Sequence, residues 1–265
     1  MIEIQFDHII HYIDNLKRFE FPGQYLKIHN GGRHEKLGTY NRLIHIDLSY
    51  IELLDRFDHG RVKQQSKTNE GKQSFASSIL ENDAKQGFKK ICLRTNNIEG
   101  LQQELEMKGI KTIGPIDMTR QNKKGHTLSW QLLYIDTTLC SALSPFFIQW
   151  QQSDEARRSE LQTHFQSHLK IDTVGFRTYQ RQMMVDNWQQ WLGMEVVESS
   201  DKVTVLQHPN TPVKFKITEG KEDMIESIRL IDETITAPVQ IRIKGATYQF
   251  VPPNDTTLNK PHELA

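Results

Sequence analysis

Phe6-Asp7-His8-Ile9-Ile10-His11 reads as a short apolar strand that carries a histidine, and Ser49-Tyr50-Ile51-Glu52-Leu53-Leu54 as a second that carries a glutamate. Strand side chains alternate between two faces, so His8 is expected on the face of Phe6 and Ile10, and Glu52 on the face of Tyr50 and Leu54. An imidazole and a carboxylate on neighbouring strands suit a divalent metal. Between the two strands runs Gly31-Gly32-Arg33-His34-Glu35-Lys36-Leu37-Gly38-Thr39-Tyr40-Asn41. Its paired glycines permit positive φ and close backbone approach. Arg33 and His34 are then placed to reach over a pocket mouth, with Asn41 holding the turn through backbone groups.

The strand at Phe6 recurs. Lys89-Lys90-Ile91-Cys92-Leu93-Arg94-Thr95 is followed by Asn96-Asn97 as the first strand is followed by Asp14-Asn15, an offset of 82 residues that sets Lys90 opposite His8. A third copy, Ile171-Asp172-Thr173-Val174-Gly175-Phe176-Arg177-Thr178, follows at an offset of 83, with Thr173 opposite Lys90. A fainter fourth strand spans 225–231. Helices are expected at about 15–20, 97–108 and 183–192, the last stopped by Gly193. Strands are expected at 42–47, 50–54, 128–135, 146–150, 203–207 and 213–218. The unit is β-α-β-β-β, and one unit cannot cover its own sheet, so units must pair. The fold class is therefore α+β: paired βαβββ modules (4–54 and 88–150) forming an open concave β-barrel within 1–150. A linker at 151–166, read as a solvated helix, a degenerate second copy at 167–253 without a metal site, and a mobile tail at 254–265 complete the chain.

At these residues the chain resembles the glyoxalase-like branch of the vicinal oxygen chelate superfamily. The resemblance rests on Asp7-His8, the Gly-Gly-Arg-His and Gly-Thr-x-Asn stretch, Tyr50-Ile51-Glu52-Leu53 and Pro145-Phe146-Phe147-Ile148-Gln149-Trp150, and covers residues 4–150. It implies a metal held by one ligand from the first and one from the last strand of each module. His8 and Glu52 match in the first module, while Lys90 and Gln149 stand at the matching positions of the second. A protonated Lys offers no lone pair, which argues against a four-ligand centre. Two alternatives remain: His8 and Glu52 with Gln149, His34 or His45 around Mn, Fe, Zn or Ni, or a metal-free polar pocket. Glu52 and His34 are the catalytic candidates. Arg33, Asn41, Lys90, Arg120 and Trp130 are the substrate-binding candidates, Arg120 heading a basic run with Lys123 and Lys124. His11 and His45 read as structural histidines.

Composition bounds the function. The 265 residues carry no net charge, are 37% hydrophobic and 25% charged, and contain only Cys92 and Cys140. No field favours nucleic acid or an anionic membrane, no apolar run reaches the ~20 residues of a membrane span, and no signal-peptide pattern opens the chain. Both cysteines sit in apolar settings and read as reduced, buried residues. No dinucleotide fingerprint or phosphate loop appears, so no nucleotide cofactor is expected. The expectation is a cytoplasmic protein, monomer or homodimer, acting on a small organic molecule by metal-assisted lyase, isomerase or dioxygenase chemistry. The alternative is a non-catalytic small-molecule-binding protein whose metal site has eroded.

Overall fold

A computed structural model describes residues 2–80, 85–121, 127–136 and 143–255. Lys123, Lys124, Cys140 and the tail beyond 255 lie outside the described residues. The first repeat supplies β1 (Ile4–Tyr12), β2 (His29–His34), β3 (Thr39–His45) and β4 (Tyr50–Arg56). Three short helices, α1 (His59–Gln65), α2 (Asn69–Gln73) and α3 (Phe75–Leu80), precede the second: β5 (Gly87–Thr95), α4 (Ile98–Met107), β6 (Thr112–Gln121), β7 (Thr127–Ile135) and β8 (Phe146–Trp150). Helix α5 (Asp154–Leu161) leads to the third: β9 (Leu169–Thr178), α6 (Arg181–Leu192), β10 (Glu195–Ser199), β11 (Val203–Gln207) and β12 (Lys214–Glu219). The fourth is reduced to β13 (Met224–Asp232), β14 (Val239–Ile243) and β15 (Ala246–Val251).

Every repeat pairs its first strand in parallel with its last: β1 with β4, β5 with β8, β9 with β12, β13 with β15. First strands then pair antiparallel, β1 with β5 and β9 with β13, so the repeats associate two by two. Ile9 faces Ile91, and the flanking pairs His8–Cys92 and Ile10–Lys90 exchange under the offset of 82, so a local two-fold passes through the ladder. Val174 opposite Ile228 marks the same axis in the second pair. The fifteen strands form one strongly curved, unclosed sheet, joined between pairs where Ile225 meets Phe88. The architecture is the α+β open barrel of paired modules, with a degenerate second copy.

Two expectations about local structure change. The segment after β1 forms 3-10 turns at Leu16–Arg18 and Pro22–Gln24 instead of a helix. Asn15 and Gly23 both have φ of 62°, and Pro22 holds Phe21 extended, which leaves no room for an α-helical turn. The strand face is also not set by simple alternation. Asp7 is an extra residue between the pairs Phe6–Leu93 and His8–Cys92, a β-bulge. Phe6 consequently joins the helix-side core, while His8 turns to the concave face with Ile10. The shift recurs at Asp172 and Glu226 in the second pair.

One apolar core runs under both pairs on the helix side, where Leu101 and Leu105 of α4 and Trp188 of α6 are buried. Asn97 caps α4 by accepting from Gly100 N–H, and Gly193 ends α6 at φ 65°. The 151–166 segment forms a largely exposed helix with anchors at a few points: Ser153 caps α5, Arg157 is buried, and Gln166 N–H donates to His45 O. The start of the expected mobile tail is also tied down, since Arg229 Nη2 donates to Asp255 O at 3.0 Å. Among the described residues no helix is long and apolar enough to cross a membrane.

Candidate functional site

The concave face of the first pair encloses a cavity of about 640 Å³, roofed by α1–α2, α5 and the β6–β7 hairpin. His8 reaches it from β1 with its ring stacked on Tyr50 (centroids 4.6 Å apart) and edge-on to Phe146 at 5.6 Å. The bulge brings Asp7 to the same side, where Asp7 Oδ1 accepts from His8 Nδ1 at 2.7 Å. Asp7 is fully buried; Oδ2 accepts from Trp150 Nε1 at 3.0 Å, and Arg157 Nη2 lies 3.8 Å away. Burial pushes the Asp7 carboxyl up, but the His8 hydrogen bond and the Arg157 charge outweigh it and hold the group down at about 2. A carboxylate can only accept, so Nδ1 is a protonated nitrogen and Nε2 is the ring nitrogen turned toward the cavity.

Glu52 stands on β4 opposite Ile10, with Oε2 at 3.5 Å from His8 Nε2. Asn41 Nδ2 donates to Glu52 Oε1 at 2.6 Å, and Asn41 Oδ1 accepts from Gly32 N–H at 2.7 Å. The glycines serve this contact, not a turn. Both lie in β2 without positive φ, and a Cβ on Gly31 would fall 2.0 Å from Asn41 Oδ1. His34 lines the cavity with Nδ1 at 3.0 Å from Thr39 Oγ1. Burial holds its imidazole below the usual value, against the pull of Glu52 and with the help of Arg120. Arg120 and Trp130 complete the wall, Trp130 lying 5.6 Å from Trp150.

His8, His34, Asn41, Glu52, Arg120 and Trp130 thus surround one cavity. Three candidates lie elsewhere. Arg33 alternates to the outer face of β2, where it pairs with Glu35 at 2.7 Å and covers the Phe57 ring. Lys90 lines a separate recess of about 130 Å³ with Ser74 and Phe88. Gln149 Oε1 accepts from Ile98 N–H at 2.6 Å at the start of α4, on the helix side. The two-fold explains the last case: Ile10 opposite Glu52 corresponds to Cys92 opposite Phe146, so Phe146 occupies the second module's place for Glu52. In the second pair the corresponding residues are Thr173, Lys216, Ser227 and Gln249.

Asp7, Tyr50, Trp150 and Arg157 escaped sequence reasoning. Asp7 adjoins His8, but strict alternation sends it to the other face; Arg157 lay in a segment read as solvated. His45 also lines the cavity, buried, with Nδ1 lacking a partner among the described residues.

A metal implied by this fold finds a limited donor set. Ligand atoms of Asp7, His8 and Cys92 lie within 4.8 Å of one another. Burial pushes the Cys92 thiol well up, and Asp7 Oδ1 already accepts from His8 Nδ1, so Asp7 supports the histidine from behind. Facing the cavity, His8 Nε2 lies 3.5 Å from Glu52 Oε2, and an imidazole nitrogen beside a carboxylate oxygen is a donor pair that fits a divalent cation.

Paired βαβββ modules with a histidine on the first strand and a glutamate on the last define the vicinal oxygen chelate class. Residues 6–192 match the model of the glyoxalase-like domain, and the chain belongs to that family. A crystal structure of a hypothetical protein from Staphylococcus aureus is 43% identical, covers 94% of this chain and 100% of its own, and superposes with a TM-score of 0.92. The Mn(II)-bound glyoxalase from Novosphingobium aromaticivorans is 10% identical over 93% of this chain and 81% of its own, with a TM-score of 0.55, and shares the fold. No curated protein matches.

Proposed function

We propose that the protein is an enzyme acting on a small organic molecule in this cavity, with a divalent cation held by His8 Nε2 and Glu52 Oε2, and that its chemistry is of the lyase or isomerase kind. The observation that carries the reading is the Nε2–Oε2 approach of 3.5 Å with the Nδ1 proton committed to Asp7. Bound there, the cation supplies Lewis-acid polarisation of a carbonyl or of adjacent oxygens. Two protein ligands leave positions for substrate oxygens and water, which favours a weakly held ion tolerant of six-coordination. Asp7 fixes the His8 tautomer, and Asn41 holds Glu52 so that Oε2 faces the histidine. His34, whose pKa burial lowers, would be the residue to accept a proton from the substrate beside such an oxygen. Trp130, Tyr134 and Phe146 exclude water around it.

Elemental analysis of protein purified without chelator, followed by Mn(II), Zn(II), Ni(II) and Fe(II) titration, tests this. A site filled to about a hundredfold above Kd adds about 2.7 kcal/mol, hence a Tm rise of about 5–10 °C. His8→Ala and Glu52→Gln should fold and show no rise. Metal-free wild type with no response overturns the chelate reading. A binding protein without catalysis then leads, a reading favoured by Phe146 and by Lys90 lying outside the cavity.

A further inference from the structure

Three arginines line the cavity, and two are spent within the protein. Arg61 pairs with Asp58 at 3.0 Å, and Arg157 with Asp7 and Asp154. Arg120, half-buried near the end of β6, has no hydrogen-bond or ion-pair partner among the described residues. Its position is a built one. A Cβ on Gly32 would lie 2.7 Å from Arg120 Nη1 and 2.8 Å from Cδ, so the missing side chain is the space the guanidinium occupies. Arg120 is near enough to act on the His34 imidazole, as Glu52 is, and all three line the same cavity. The wall beside it, Met118, Leu128 and Trp130, is apolar. A guanidinium withdrawn from water against such a wall keeps an unpaid desolvation cost until an anion meets it.

We infer that the ligand is an amphipathic carboxylic acid: its carboxylate pairs with Arg120, its apolar body lies on the Met118–Trp130 wall, and its reacting oxygen reaches His8 and Glu52. This rests on the function proposed above for its reacting end only. One guanidinium in an apolar surround matches a monoanion, and its planar fork matches a carboxylate. A phosphate ester carries nearly two charges, and the other uncommitted cation of the lining, Lys36, is exposed in the turn between β2 and β3.

Binding of phenylacetate, 3-phenylpropanoate, 4-phenylbutanoate and 5-phenylpentanoate to the full chain, with the matching primary amides and phenethyl phosphate, provides the test by calorimetry. At least one acid should bind 10- to 100-fold tighter than its amide. Arg120→Gln should erase that difference and leave amide affinity unchanged. Gly32→Ala, which displaces a flexible guanidinium and no backbone, should weaken the acid in the same way with Tm unchanged. Acid and amide binding alike, no acid binding at all, phosphate binding tighter than every acid, or Arg120→Gln without effect each overturn the inference. Glu52→Gln separates it from the chelate reading. An acid preference kept by that variant, with no metal uptake by the wild type, keeps the anion site and removes the metal chemistry; metal uptake by the wild type without acid preference does the reverse.

Discussion

Gly31 shows how much a single residue does here. Its missing Cβ is the space filled by Asn41 Oδ1, and Asn41 in turn holds Glu52 toward His8. Gly31→Ala must push Asn41 aside, and the backbone oxygen of Asn41, 2.9 Å from the same Cβ, cannot yield cheaply. We expect a loss of about 1–3 kcal/mol in urea unfolding together with the loss of any metal-dependent Tm rise. Gly32→Ala, two atoms' reach from a flexible arginine, should leave stability intact. If both variants unfold at the wild-type midpoint and Gly31→Ala still takes up metal, Asn41 does not position Glu52. The Gly-Gly pair was visible in the sequence as a special backbone position. What it made room for was not, because Asn41 and Arg120 arrive from other strands.

At the scale of elements, the β1 bulge and helix α5 act together. The bulge puts Asp7 beside His8, and α5 delivers the cation that Asp7 needs, with the Arg157 guanidinium 4.3 Å over the Trp150 ring. Arg157→Met keeps the packing volume and strands a buried carboxylate, at a cost on the order of 3 kcal/mol. Asp7→Asn in the same protein should restore part of that loss, a coupling that a double-mutant cycle measures. The sign in acid follows from Asp7 itself. Its native carboxyl lies near 2 against 3.8 for the free group, so its contribution is complete above 3.8 and is lost as pH falls toward 2. Additive single and double variants would show that Arg157 only packs.

Across the whole molecule, the two pairs of modules meet at a buried histidine, His11, and a second buried histidine, His45, lines the cavity of the first pair. His11 of β1 bonds Tyr248 OH at 2.8 Å and Lys244 O at 3.0 Å in the fourth repeat, and burial pushes its imidazole down to about 4. Burial likewise takes His45 down to about 3, with His164 and His29 adding to it. Both are neutral in the folded protein and protonated in the unfolded chain below about 6.5, so the unfolded state binds more protons. Their stabilising contribution is full above that value and declines as pH falls. Between pH 7.5 and 5 the urea-unfolding free energy should drop by about 2 kcal/mol for each histidine. His11→Gln should remove its share of the slope; a flat profile would mean that neither imidazole is held neutral.

The repeat was legible in the sequence because its carriers are local: β-branched strands, Asn-Asn and Asp-Asn turns, and offsets of 82 and 83 that the strand ladders reproduce at Ile9–Ile91 and Val174. His8 and Glu52 were legible for the same reason, each being the one chemically active residue of an apolar strand. Tertiary structure alone decided the rest. Which face Asp7 takes depends on a bulge against β5, and a bulge is a property of two strands, invisible in one. Gln149 lost its place in the site because parallel register sets Phe146, not Gln149, opposite Cys92. Arg157 looked like a solvated charge because its carboxylate partner is 150 residues away in the sequence and 3.8 Å away in space. Periodicity reports what a residue's own element does with it; the charge, donor or void that meets it comes from an element the local pattern does not contain.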